Sequence, residues 1–410
     1  MDRNAVVVVI DRLGAGYLGP YGNTWIETPA LDRLASQAVL WETCLADHPT
    51  VAGYYRALTW LRHARCPDCP DSEPTWMERA TARGVHTVLL TDEPQLASLR
   101  WANGFRERHT IPSEPSPHPA TSIENTAMAQ VFAAASECLE EMRTPFLLWL
   151  HVRGMAGPWD APLEYRRSFA DEEDPLPPDG VDPPDCRLSA DADPDVILGF
   201  SQAYAGQVLL ADACLAPLLH AWEATPWKTD SLFVLTSPRG YPLAERGALG
   251  SSGDTLHEEV LHVPLLIRHP DPGWATMRRQ ALVQPADLGH TLEEWFQLNG
   301  RDRLPGTLNL LASRSAAAQS AAPGRGALVS ILGDERSLRT PAWFFRTAPG
   351  TPPALYAKPD DRWEVNEVAD RCAPVVEAAT QTLLAAEQWL ERNCAGHPPD
   401  LPTILWQPWE

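Results

Sequence analysis

Basic residues are scarce in this chain. Of its 410 residues, 33 are Lys or Arg against 54 Asp or Glu, a formal charge of −21. A surface so negative repels nucleic-acid phosphates and anionic membranes, and neither is expected as a partner. Long apolar runs are missing as well. No uninterrupted run approaches the roughly 18 residues that mark a spanning helix, so no membrane-spanning helix is expected. The opening Met1–Ile10 carries an acid beside its base and only six apolar residues in a row. It reads as a buried strand and not as a secretory signal, which makes cytoplasmic residence the expectation. Cysteines number 8, and in a large chain of this kind they are expected as reduced thiols. No second Cys-x-x-Cys accompanies Cys66-Pro-Asp-Cys69. With His63 three residues ahead, that pair offers three zinc ligands where a structural site needs four. A surface turn with free thiols is the favoured reading, and zinc on His63, Cys66 and Cys69 is the alternative.

What is present points to an ordinary core, since 44% of residues are hydrophobic and 21% charged. Residues 5–10 are apolar on both faces, which suits a central parallel strand ending at Asp11. A loop follows with Gly14, Gly16, Gly19, Pro20 and Gly22. Thr28 is placed to cap a helix whose first residue is Pro29, with Leu34, Ala35 and Ala38 at helical spacing. The βα pattern recurs. A helix is predicted around 76–83, a strand over 85–91, and a helix over 124–143 with Met128, Val131, Phe132 and Cys138 inward. A strand over 145–151, a helix over 201–223 and strands over 231–236 and 263–268 complete the series. Such alternation predicts a large, mainly parallel α/β sheet flanked by helices.

Residues 171–195 hold ten acids, six prolines and one Arg. They read as a solvated, extended surface loop whose spacing fits no calcium loop. Residues 312–327 are rich in Ala, Ser, Gly and Pro and read as a linker. Strand-like pieces over 328–346 and an amphipathic helix over 374–393 follow. The expected organisation is an α/β domain over 1–311, the linker, and a small C-terminal α+β subdomain over 328–410.

Several phrases, in order, resemble the sulfatase branch of the alkaline-phosphatase-like superfamily. Val9-Ile10-Asp11-Arg12-Leu13-Gly14 is similar to its first metal-binding strand end. Tyr21-Gly22-Asn23 and Thr28-Pro29-Ala30-Leu31-Asp32-Arg33-Leu34-Ala35 resemble its most recognisable stretch. Gly157 to Pro162, the helix from Tyr204 to Asp212, and Leu235-Thr236-Ser237-Pro238-Arg239-Gly240 follow in register. Leu256-His257-Glu258-Glu259-Val260, Val263 to Arg268, Gln284 to Leu292, Ala354-Leu355-Tyr356 and Asn366 to Ala369 complete the match, over roughly residues 5–370. The resemblance implies the fold. It also implies a calcium ion held by carboxylates at two strand ends, and a nucleophile made from Cys or Ser in Cys-x-Pro-x-Arg.

The implied chemistry is not matched residue by residue. Asp11 is present at the first strand end, but Arg12 holds the second aspartate position. Ser237 and Gly240 remain at the later strand end, but Pro238 and Arg239 replace two ligands. One of four metal ligands survives, whereas calcium takes six to eight oxygens. In His48-Pro49-Thr50-Val51-Ala52-Gly53-Tyr54-Tyr55-Arg56, taking Arg56 as the motif's arginine puts Ala52 at the nucleophile position. Thr50 is the nearby hydroxyl if the register slips. Ala156 stands where the family has a histidine and Gly253 where it has a lysine. No lysine lies between 229 and 357.

These departures imply a catalytically degenerate sulfatase-like protein without a calcium site or other cofactor. Asp11, Arg12 and Arg239 are expected to meet at the strand ends with Arg56 nearby. The cluster either fills the vacated metal pocket or binds a small anion such as sulfate, phosphate or a carboxylate. Pairing with an active relative or with itself is the accompanying expectation. The alternative is a sulfuric or phosphoric ester hydrolase with an unconventional site built on Thr50, His48 or His257. A third reading is a structural partner that uses the acidic 171–195 loop as its contact surface. Trp101 and Trp159 are assigned no role.

Overall fold

The computed structural model describes residues 3–67, 73–112, 116–298, 306–313, 325–394 and 396–407. They form two compact units. The first comprises Met1–Leu40, Ala80–Asp254 and Val263–Arg278, and the second Trp41–Arg79, Thr255–His262 and Arg279–Glu410.

In the first unit the strand Asn4–Ile10 is buried along its whole length. It lies between Phe146–Val152 and Ser231–Thr236, parallel to both. His86–Thr91 adds parallel to Phe146–Val152, and Glu107–Thr110 parallel to His86–Thr91. Leu265–Arg268 is antiparallel to Ser231–Thr236, and Val39 and Leu40 pair antiparallel with Ile267 and Leu266. The unbroken apolar runs are therefore central parallel strands covered on both faces, as their composition implied.

Helices Ala127–Glu141 and Pro194–Ala224 supply much of this core through Val131, Phe132, Leu139, Val208, Leu215 and Leu218. Cys138, expected inward, is half-buried, and Leu139 takes the core position. The longer helix starts seven residues before the predicted 201, because Asp193 caps it and Pro194 opens it. Contrary to the expectation from run length, this helix is long and apolar enough to cross a membrane. Its most apolar stretch is 67% buried inside the protein, the pattern of a core helix.

The acidic 171–195 loop is exposed along much of its length but is not free. The buried Arg166 donates to the carbonyls of Pro178 and Gly180, and Trp159 N donates to Val181 O. Cys186–Arg187 pairs with Ala248–Leu249, and Asp185 accepts from Ser252 N at 2.6 Å. Backbone carbonyls tied to a buried guanidinium hold this loop where composition alone predicted solvent.

In the second unit, strands Leu328–Leu332, Glu335–Arg339, Trp343–Thr347 and Ala354–Ala357 form an antiparallel sheet. The helix Ala373–Glu391 packs its Val375, Ala379, Leu383 and Leu390 face with Val329, Ile331, Leu338 and Phe345. The unit also contains helices Val51–Trp60 and Pro285–Trp295, so it takes in more chain than the 328–410 piece read from composition. These two helices approach closely at Gly289, where a Cβ would lie 2.1 Å from Leu58 O. Most of the linker, residues 314–324, falls outside the described residues.

Candidate functional site

The first strand ends at Asp11, which is buried, and the chain turns at once. Arg12 has φ +66°, a left-handed conformation uncommon for a side chain of this size. Tyr204 fixes the turn: its hydroxyl donates to Arg12 O at 2.8 Å and accepts from Gly14 N at 3.2 Å. Ser237, at the end of the neighbouring strand, accepts from Leu13 N and donates to Arg239 O. The retained Tyr204 and Ser237 thus hold the two strand ends in place.

The guanidinium of Arg12 donates to Asp254 Oδ1 at 2.6 Å and Oδ2 at 2.9 Å, and also to Ser251 Oγ and Gly240 O. Its carbon sits 5.7 Å from the Tyr241 ring, which packs with Trp159 and Tyr204. Arg239 makes a second two-point pair, Nε to Asp11 Oδ1 at 3.0 Å and a terminal nitrogen to Oδ2 at 2.9 Å. Its other terminal nitrogen is 3.8 Å from Asp254 Oδ2. The result is a quartet of two cations and two anions whose formal charges cancel.

Burial works to raise the Asp11 carboxyl, but Arg239, and then Arg12 and His151, hold it below its ordinary value. Arg239 shows the reciprocal behaviour: burial disfavours its charge, and Asp11 more than restores it. His151, on the adjacent strand, is lowered to about 4 by burial and is neutral at pH 7.

The structure brings Asp11, Arg12 and Arg239 together as expected, but not in the expected order. Asp11 does not bridge the two arginines. The left-handed turn sends Arg12 to the 240–254 loop, and Asp254, which sequence reasoning missed, becomes its partner. Charge balance was the available signal, since two arginines replacing metal ligands require a second carboxylate. Trp159 and Trp101 are buried packing residues.

Calcium does not fit this donor set. Both oxygens of Asp11 and of Asp254 already accept from guanidinium groups, and two fixed positive charges flank the position that an ion would share. Pro238 offers no side-chain oxygen.

Arg56 belongs to the second unit, where it donates to Cys66 O at 2.6 Å. Ala52 is exposed in the first turn of helix Val51–Trp60, and a methyl group has nothing to react with. Thr50 caps that helix, accepting from Gly53 N at 3.1 Å. Its hydroxyl also lies 2.9 Å from His48 Nδ1. Burial lowers the His48 pKa, with Asp47 opposing, which favours the neutral ring.

His63 uses both ring nitrogens, one on Val329 O at 2.9 Å and one accepting from Arg65 N at 3.0 Å. Its lone pair is committed, which argues against zinc there; Cys69 lies outside the described residues. His257, Glu259 and Glu364 place ligand atoms within 4.8 Å of one another. Within that group His257 pairs with Glu364, and Glu364 lies 3.4 Å from Lys358, which with Arg339 also pairs with the neighbouring Glu258 at 2.9 Å each. It reads as a buried ion-pair network.

Comparison with known proteins bears on the fold. The chain matches no curated protein in sequence. In structure it is similar to the phosphonate monoester hydrolase of Agrobacterium radiobacter, with a TM-score of 0.75 at 17% identity, covering 95% of this chain and 96% of the other. It is also similar to BT4656, solved in complex with its substrate D-glucosamine-2-N,6-O-disulfate, with a TM-score of 0.74 at 14% identity, covering 96% and 99%. The phosphonate monoester hydrolase of Silicibacter pomeroyi matches with a TM-score of 0.70 at 17% identity, covering 95% of each chain. The Sulfatase family model matches residues 3–298, well over half of the sequence, and the chain belongs to the sulfatase family.

Proposed function

We propose that this chain is a non-hydrolytic member of the sulfatase family, in which an arginine–aspartate quartet replaces the metal at the strand ends. One observation carries the reading. The Arg12 side chain, only 2% exposed, is locked to Asp254 at a position where the family supplies a metal-binding carboxylate. Metal-assisted ester cleavage requires a cation that stabilises the oxygens of the reacting group. Here the fixed cations are already neutralised by fixed anions. A non-hydrolytic role then rests on binding, either of a partner chain or of a small anion. An anion must displace Asp11 from Arg239, whose side chain is 15% exposed. The charge balance argues for structural filling over such displacement. The test is an assay of the purified protein against aryl sulfates, phosphate esters and phosphonate monoesters. No turnover above buffer is expected, and turnover abolished by Asp11→Ala contradicts the proposal.

The 2.9 Å contact between Thr50 Oγ1 and His48 Nδ1 favours a second reading, an ester hydrolase with a threonine nucleophile. A neutral imidazole at this distance can accept the hydroxyl proton. The N-terminus of the ten-residue helix behind Thr50 favours negative charge. Turnover lost in both Thr50→Ala and His48→Gln, but retained in Asp11→Ala, is the pattern that this reading requires.

A further inference from the structure

Cys66 and Cys394 are 328 positions apart in sequence, yet their sulfurs lie 3.2 Å apart. Both are buried, at 2% and 5% exposure, and both belong to the second unit. Two arginine side chains bind the segments that carry them. Arg56 donates to Cys66 O at 2.6 Å, and Arg62 donates to Asn393 Oδ1 at 2.5 Å. Asn393 and Cys394 have φ +59° and +60°, so the chain leaves the helix Ala373–Glu391 through two left-handed residues that bring the thiol back toward Cys66. We propose that Cys66 and Cys394 form a reversible disulfide site that is oxidised by low-molecular-weight disulfides.

The exchange balances in two steps. The Cys394 thiolate attacks one sulfur of the small disulfide and releases one small thiolate. Cys66 then gives its proton to that thiolate, and its sulfur attacks the Cys394 sulfur of the mixed disulfide. The Cys66–Cys394 bond forms, and the second small thiolate leaves and takes from solvent the proton that Cys394 had released. Two cysteines are oxidised by two electrons, and one small disulfide is reduced to two thiols. The order follows from the surroundings: the Cys66 hydrogen bond lowers the pKa of Cys394, with burial opposing and Arg325 and Arg62 assisting. Cys66 is raised by its bond to Cys394 and by burial. Because both thiols are buried, the reaction is expected to take minutes to hours.

The bond would tie the chain just after helix Val51–Trp60 to the end of the terminal helix. It would close a loop of most of the sequence, which restricts the unfolded chain strongly. The native full-length protein is incubated with 2-hydroxyethyl disulfide, quenched in acid, alkylated and mapped by mass spectrometry. The expected product is a Cys66–Cys394 cross-linked peptide lighter by two hydrogens and reversed by dithiothreitol, with the urea midpoint shifted upward relative to the reduced protein. Cys394→Ser is expected to give the same midpoint with and without the oxidant. Both cysteines alkylated after prolonged exposure, or Cys66 linked to Cys69 instead, overturns the proposal. The mapping on the unaltered chain decides this even if the variant does not fold.

Discussion

Arg12 and Asp254 stand 242 positions apart in the chain and meet as a two-point ion pair with N–O distances of 2.6 and 2.9 Å. Removing one partner strands the other. Asp254→Ala leaves a guanidinium that is 2% exposed without its carboxylate. The expected loss is about 3–5 kcal/mol, the usual consequence of breaking a buried pair from one side. Replacing both residues together with apolar side chains should recover much of it. Urea unfolding of the single and double variants measures the difference. A loss below about 1 kcal/mol for Asp254→Ala would place the pair among surface salt bridges.

His151 makes the pH dependence of folding informative. Burial lowers its pKa from 6.5 to about 4 in the folded protein, with Asp11 opposing and Arg239 assisting. The unfolded chain therefore takes up this proton first as pH falls. The stability linked to His151 is complete above pH 6.5 and declines between 6.5 and 4, by up to about 3 kcal/mol. Asp47 and Asp92, raised by burial to about 6, run the other way and gain stability as pH falls through the same range. The total profile mixes these effects, so the useful quantity is the difference between the wild type and His151→Gln. The wild type should lose ground relative to the variant from pH 6.5 to 4. A pH-independent difference would show that the ring is not buried in its neutral form.

The carboxylate of Asp212 accepts from Ala30 N at 3.0 Å and Leu31 N at 2.8 Å, at the start of helix Pro29–Gln37. Thr28 makes no side-chain cap there; its hydroxyl accepts from Gly19 N instead. Asp212→Ala should therefore cost about 1–3 kcal/mol by leaving two helix-start donors unpaired. Asp212→Asn, which keeps an acceptor oxygen, should cost less. Denaturant midpoints at constant slope check both.

Much of the fold was legible because the phrases that persist are the ones that hold it together. The Thr28-Pro29-Ala30-Leu31 phrase and the Tyr204–Asp212 helix are recognisable as a pair, and the structure bonds them to each other or to the same strand-end loop. The apolar run over 5–10 carries its own burial pattern, so its central place followed from composition. Charge balance called for a second carboxylate but did not single out Asp254, because its partnership depends on a left-handed turn 242 residues earlier and no local pattern encodes it. The anchoring of the 171–195 loop was hidden for a similar reason: one buried arginine, Arg166, outweighs ten acids, nine of them exposed, in setting the path of the backbone. The pairing of Cys66 with Cys394 was missed because short-range spacing drew attention to Cys69. Thr50 caps helix Val51–Trp60, a role masked in the sequence by the overlap of its helix start with the motif-like stretch 48–56.

If guanidinium groups have taken the place of a divalent ion, as proposed, metal analysis of the purified protein after equilibration with calcium and gel filtration should find far less than one equivalent of calcium, zinc or manganese per chain, unchanged in Asp11→Ala. One tightly held divalent ion per chain, lost in Asp11→Ala, would contradict the proposal.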